Sequence, residues 1–272
     1  MIQKQTNHLL NEIKNSKDLE NKIIGCTAII LTGLCYKINK NYLEIGLSFL
    51  KKITVSSIDN QGFTRSRSIK QLIFFLKYFV LIREWFKEAQ VEVPDHIEEN
   101  IYYFGQGYAF IRQNIATDLL FNGNNNSNTY DLDNYLKRLG YKFKNENKDY
   151  GGYIILKNKK ICLAMDAGSS PNSKYTHDYQ SGALSFEIIS NGKKLITNCG
   201  YYKKNNQNLN EISKSSAVHS TLTIDDNSSC KFTKKRDKLI LKTGLKITQR
   251  NSVCEKNYWK INAAHDGYFK KF

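Results

Sequence analysis

Residues Tyr175–Tyr202 read YTHDYQSGALSFEIISNGKKLITNCGYY, and the second half of the chain is read outward from them. Ala183 to Ile189 alternate imperfectly but in the manner of a strand. Asn191-Gly192 follows, a dipeptide that tolerates the positive φ angles of a type I′ turn. Lys194 to Thr197 then form the predicted return strand. A hairpin of this register gathers polar residues at its open end: His177, Asp178 and Gln180 from one side, and Asn198, Tyr201 and Tyr202 from the other.

The flanks extend the pattern. Upstream, Tyr153 to Asp166 (YIILKNKKICLAMD) reads as two apolar strands about an Asn-Lys-Lys turn. Downstream, Val218–Ile224, Leu239–Leu241, Leu245–Ile247 and Tyr258–Ala264 are further predicted strands. Many short strands without long helices between them indicate an antiparallel β-sandwich rather than an α/β sheet. The chain ends at Phe272 directly after a predicted strand and turn, as an interrupted sheet would, so a fragment is expected.

The first half has helical periodicity. Leu9, Leu10 and Ile13 mark one face, Ile23 to Tyr36 is apolar nearly all round, and Tyr42 to Ile53 continues the pattern. Ser56 to Arg67 breaks it as a turn, and Ser68 to Ala89 is a strongly amphipathic helix in which Tyr78 reads as core. Pro94-Asp95 opens another helix, expected to lose regularity near Gly105–Gly107. Asn122–Thr129 (NGNNNSNT) is a loop by composition, and Leu132–Leu139 a short helix. The expected organisation is a helical segment over 1–121, a linker with a short helix over 122–150, and an antiparallel sandwich over 151–272, an α+β multidomain chain.

Bulk properties set limits. With 272 residues, 40% hydrophobic and 12% aromatic, the chain can bury a sizeable core, and disorder is excluded as a default. Of the net +16, residues 1–150 contribute 20 basic and 16 acidic side chains and 151–272 contribute 21 and 9, so the predicted sandwich is the basic half. That field favours a polyanion such as an acidic polysaccharide, nucleic acid or anionic membrane surface; a lysine-rich face that serves solubility is the competing reading. No nucleic-acid recognition motif accompanies the charge, so no nucleic acid is expected as partner. Six cysteines lie without a CxxC pair, which excludes a zinc ribbon or thioredoxin-type motif, while pairing of Cys162 with Cys199 in an oxidising compartment stays open. The polar N-terminus carries no signal-peptide pattern, and Ile23–Tyr36 is too short for the ~20 residues that span a bilayer.

The hairpin resembles the sandwich domain of the heparinase II/III-like polysaccharide lyases. In that family an H-x-H-x-D-x-L-S-F strand, a return strand ending in D-x-G and a later A-H-[NS]-T strand recur. Here the corresponding residues are Asp178 to Phe186, Asn198-Cys199-Gly200 and Val218-His219-Ser220-Thr221. Asp225, Ser228, Ser229 and His265-Asp266-Gly267-Tyr268 resemble downstream landmarks, and Asp59 to Ser68 is similar to a turn in the family's α/α toroid. The resemblance implies an α/α toroid segment, incomplete here, joined to the sandwich. It also implies a lyase of the bacterial periplasm or cell envelope that cleaves uronate-containing glycans by β-elimination.

That chemistry needs a base, an acid for the leaving oxygen and a group that neutralises the uronate carboxylate. By resemblance and residue type, His219, His177, Gln180 and Asn198 are the catalytic candidates, and Arg65, Arg67, Tyr179, Tyr201 and Tyr202 the substrate-binding ones. Each has a structural competitor: a hydrogen-bonded core histidine for His219, a solvated loop for His177, Arg65 and Arg67, and packing for the tyrosines. His265 is read as a turn-stabilising residue. In members with a structural zinc, its ligands match Gln180, Asn198 and His219, of which His219 is the one good zinc ligand, so no zinc is expected. A noncatalytic glycan-binding or envelope-assembly protein with a degenerate site is the alternative.

Overall fold

The computed structural model describes residues 1–36, 41–112, 117–125, 130–202, 207–235 and 238–269. Its contacts divide the chain into two compact units, Met1–Gly62 with Leu72–Gly105, and Phe63–Gln71 with Gln106–Phe272.

The first unit holds α1 (Ile2–Asn15), α2 (Leu19–Cys35), α3 (Tyr42–Ser57), most of α4 (Ile69–Glu88) and the start of α5 (Asp95–Arg112). Asp18 caps α2 by accepting from the backbone amides of Glu20 and Asn21 at 2.9 and 3.2 Å, which satisfies donors a helix start leaves unpaired. The α4 stripe Leu72, Phe75, Phe79 and Val80 is buried, and the rings of Phe75 and Phe79 pack on Phe104 of α5 at 5.4 and 5.2 Å. Helix α5 does not loosen at Gly105–Gly107 as expected but continues to Arg112. Phe104, Tyr108, Phe110 and Ile111 flank the glycines and are all buried. Their burial, worth roughly 1.5–3 kcal/mol per large apolar side chain, outweighs a glycine cost of about 1 kcal/mol each.

The second unit begins early in the chain with Phe63–Gln71, resumes with the end of α5, and adds α6 (Tyr130–Arg138) and α7 (Gln207–Ser213). Its main sheet is antiparallel throughout in the order β1 (Asp149–Tyr150), β2 (Tyr153–Lys157), β3 (Ile161–Asp166), β4 (Phe186–Ser190), β5 (Lys193–Ile196). Two further hairpins pair β6 (Lys231–Lys235) with β7 (Lys238–Thr243) and β8 (Ile247–Cys254) with β9 (Trp259–His265). Cys254, Trp259 and Ile261 from the β8–β9 hairpin pack on Ile154, Leu156 and Ala167, the sheet-on-sheet core of the sandwich. A second core joins Tyr179 and Ala183 to Cys230, Leu241 and Leu245 around β6 and β7. All six cysteines are free thiols.

The Asn191-Gly192 turn forms as expected, with φ of 48° and 77°. Three strand expectations need correction; one of them, Leu245–Ile247, is no separate strand, since only Ile247 enters a strand, as the first residue of β8. The first strand of the hairpin starts at Phe186 rather than Ala183, because Leu184 takes a left-handed φ of 58° in a turn that brings Ser185 to Asp166. This turn is why the alternation there was imperfect. Val218–Ile224 forms no ladder: Ser216–Val218 is a 3₁₀ turn, and side chains make the bonds that a strand's backbone would make. Ser220 Oγ donates to the Phe186 carbonyl and accepts from its amide, and Thr221 Oγ1 donates to the Ala183 carbonyl at 2.6 Å.

Candidate functional site

All nine candidate residues belong to the second unit. They separate by burial: Arg65, His177 and Tyr202 reach the surface, whereas Arg67, Tyr179, Gln180, Asn198, Tyr201 and His219 are buried.

Asn198, at the end of β5, is held by Glu187 of β4. The Glu187 carboxylate is fully buried and accepts from the Asn198 backbone amide at 3.0 Å and its side-chain amide at 3.4 Å. It also takes Thr197 Oγ1, the Leu120 amide and, on its second oxygen, Lys194 Nζ at 3.0 Å. The other end of the Asn198 amide accepts from the Ser220 backbone at 3.1 Å. Asparagine suits this place because it donates to one neighbour and accepts from the other, which a carboxylate cannot do.

Gln180 and His219 converge on one carbonyl. Gln180 Nε2 donates to the carbonyls of Ser213 and Gly200 at 2.6 and 2.9 Å, and its Oε1 accepts from the Gly123 amide at 3.3 Å. His219 Nε2 lies 3.1 Å from the same Ser213 oxygen. A carbonyl only accepts, so Nε2 carries the proton and Nδ1 is left as the basic nitrogen. Burial lowers the His219 pKa against the opposing pull of the Ser213 carbonyl and Asp166, which keeps the ring neutral.

His177 is different. Its Nδ1 sits 2.7 Å from Asp178 Oδ1, while the imidazole is 45% exposed and the Asp178 side chain 11%. An ionised carboxylate orients the ring by accepting from Nδ1, so Nε2 is the free base in the neutral form. The His177 backbone is fixed from below: its carbonyl accepts from Lys214 Nζ at 2.7 Å and from the Tyr201 hydroxyl at 3.3 Å. Lys214 also donates to the Tyr179 carbonyl at 3.0 Å and lies 5.3 Å from the Tyr201 ring centroid. Its burial pulls the ammonium down to about 8, with Asp178 opposing.

Arg67 and Tyr179 are interior groups. The guanidinium donates to Asp166 at 2.5 Å and to the carbonyls of Gly168 and Gly152 at 2.8 and 3.0 Å, and stands 5.0 Å above the Tyr153 ring. Burial alone would lower its pKa, but Asp166 together with Tyr153 and Tyr179 outweighs that and holds it above the usual arginine value. A Cβ at Gly168 would lie 2.4 Å from the Arg67 guanidinium carbon, so only glycine admits this approach. Asp166 further accepts from Asn122 at 2.7 Å, and Asn122 in turn accepts from the Gln180 amide at 3.4 Å. Tyr179 is fully buried and its hydroxyl accepts from Ser170 Oγ at 3.2 Å. Tyr202 is 50% exposed. His265 Nδ1 accepts from the Gly267 amide at 2.9 Å, the turn-stabilising role expected of it.

Sequence reasoning missed four residues that build this site: Asn122, Asp166, Glu187 and Lys214. Asp166 and Glu187 each left a trace as a lone acid within an apolar strand, ICLAMD and SFEII. Asn122 and Lys214 lie in polar stretches where nothing sets them apart.

Comparison with known proteins agrees with this architecture. Residues 145–272 match the family model described as heparinase II/III-like, C-terminal. A heparinase III crystal structure matches at 16% identity and a TM-score of 0.68, over 97% of this chain and 47% of that one. A second heparinase III, solved with methylated lysines, matches at 15% and 0.74, over 98% and 44%. A heparan sulfate lyase mutant from Pedobacter heparinus matches at 12% and 0.69, over 97% and 46%. The chain thus spans about half the length of these structures. No curated protein matches it. The fold is a helical segment followed by an antiparallel sandwich, as in these structures, and residues 145–272 are similar to the heparinase II/III-like C-terminal family. Among the described residues, no helix is long and apolar enough to cross a membrane.

Proposed function

We propose that this chain is the lyase-like part of a protein that cleaves uronate-containing acidic glycans by β-elimination in the periplasm or cell envelope. The observation that carries the reading is the His177–Asp178 pair, a surface imidazole oriented through Nδ1 by a carboxylate 2.7 Å away. In the reaction, His177 Nε2 takes the proton beside the uronate carboxylate, and the freed electron pair forms the ring double bond as the glycosidic C–O bond on the adjacent carbon breaks. The leaving oxygen takes a proton from water, while the imidazolium later gives its own back to solvent. Lys214 and Tyr201 serve as positioning residues through the His177 carbonyl. Tyr202 and Arg65 are exposed in the same unit and offer the ring and guanidinium types that contact sugars. No metal enters this reading. Gln180 and His219 turn their Nε2 donors to the Ser213 carbonyl and Asn198 turns its amide to Glu187, a donor set that does not fit zinc.

Incubating the full chain with uronate-rich polysaccharides and following ultraviolet absorbance of the unsaturated product tests the proposal. Product should form, and His177→Ala should lower its rate by at least 100-fold, the low end of the ~10²–10⁴ that a positioned general base contributes. A His177→Ala rate equal to that of the unaltered chain would remove the pair from the mechanism.

A second reading, a noncatalytic glycan-binding protein, is favoured by one specific observation: Gln180, Asn198 and Tyr179 spend their polar groups on the protein itself. Measurable binding of the same polysaccharides with no product would select it.

A further inference from the structure

A basic, aromatic-lined groove lies in the second unit, and none of its lining residues enters the function proposed above. The C-terminal end of α5, helix α6, the segment from Tyr141 to Glu146 and Lys157 at the end of β2 line an open groove of about 680 Å³, within the ~300–1,000 Å³ range of small-molecule sites. Its lining carries five cationic side chains and two carboxylates. One of those carboxylates is already engaged, because Asp133 accepts from Arg112 at 2.5 Å and from the Tyr108 hydroxyl. Arg112 is likewise balanced by Asp118 at 3.1 Å. Three further lysines, 137, 142 and 144, line the groove with the carboxylate of Glu146.

The aromatic part is ordered by the sequence. Tyr141-Lys142-Phe143-Lys144 alternates ring and cation, and the structure keeps both rings half-buried with their centroids 5.7 Å apart and both lysines exposed. The half-buried rings thus form an apolar ledge of the groove and the exposed lysines its cationic rim. A ligand that satisfies both has a ring with an apolar face and substituents that are anionic.

We propose that this groove binds a short acidic saccharide, with pyranose faces against the Tyr141–Phe143 ledge and carboxylate or sulfate groups at Lys137, Lys142 and Lys144. Choosing a saccharide among polyanions rests on the glycan reading above; the groove itself uses none of the proton-transfer residues. Its bounded volume also favours a few sugar rings over a nucleic-acid strand, which needs a groove that tracks many phosphates.

The experiment titrates the full chain with a sulfated uronate tetrasaccharide by calorimetry. Parallel titrations use a neutral tetrasaccharide and a single-stranded oligonucleotide of equal charge, and lysine acetylation is mapped with and without ligand by mass spectrometry. The proposal expects Lys142 and Lys144 to be protected, K142E/K144E to bind at least tenfold more weakly, and affinity to fall as salt rises. His177→Ala should leave the protection of Lys142 and Lys144 unchanged, so loss of product formation and loss of groove binding are separable. Affinity within twofold of the unaltered chain in K142E/K144E, absence of protection at both lysines, equal binding of the neutral sugar, or tighter binding of the oligonucleotide would each overturn it.

Discussion

Replacing Arg67 separates two roles that the sequence left open, a clamp for glycan carboxylates and an interior rivet. The guanidinium makes an ion pair with Asp166 at 2.5 Å between side chains 10% and 2% exposed, and supplies donors to the carbonyls of Gly152, Gly168 and Ser169. Arg67→Met keeps much of the volume but leaves a buried carboxylate with Asn122 and the Gly168 amide as its remaining donors. Removing one partner of a buried pair costs roughly 3–5 kcal/mol, and at about 2–4 °C per kcal/mol in a unit of this size Tm should fall by roughly 6–20 °C. The assay follows from the positions of the two tryptophans, Trp85 in the first unit and Trp259 in the second. In a Trp85→Phe background, fluorescence during urea or thermal unfolding reports the second unit alone. Arg67→Met/Asp166→Leu should recover a large part of the loss, because no charge is then stranded. A cost below about 1 kcal/mol, typical of an exposed pair, would refute the argument. So would a loss of glycan binding at unchanged stability, which would make Arg67 a ligand residue.

Two further outcomes follow from the same network. Asn198→Asp sets a second carboxylate against buried Glu187 and removes its amide donor, so it should destabilise by roughly 1–3 kcal/mol at pH 7 and by less at pH 5, where a proton can be shared; equal urea midpoint shifts at both pH values would contradict this. Lys214 titrates near 8 in the folded chain against a usual 10.5. Below pH 8 both states carry the charge and the burial cost is present in full, whereas between about 8 and 10.5 the unfolded chain holds a proton the folded chain has released. Stability therefore rises with pH through that window, by about 1 kcal/mol from pH 8 to 9 relative to Lys214→Met; a difference that stays flat would show that the ammonium is not held at a cost.

How much was legible in advance differs by residue. Asn191-Gly192 set the hairpin turn, and the α4 stripe set the helical core, because both depend on local backbone preference and on a repeat of apolar residues. The resemblance was likewise carried by a contiguous pattern, Asp178 to Phe186 and onward to Thr221, now matched by the family model over 145–272. Residue type alone also placed His265 correctly, since the bond to Gly267 spans two positions.

Tertiary structure decided the rest. Arg67 reaches across 99 positions to Asp166, and Phe63–Gln71 belongs to the sandwich unit although helices surround it in the chain. No local signal distinguishes that arginine from Arg65, two residues away and exposed. His177 and Asp178 are neighbours in sequence, but their making an oriented pair depends on Lys214 and Tyr201 fixing the His177 carbonyl from far along the chain. The physical reason is the same in each case. Local preference sets turns, strands and helix faces, whereas the burial and hydrogen-bond partners of a polar group, which determine whether it is structural or reactive, depend on residues that only folding brings near.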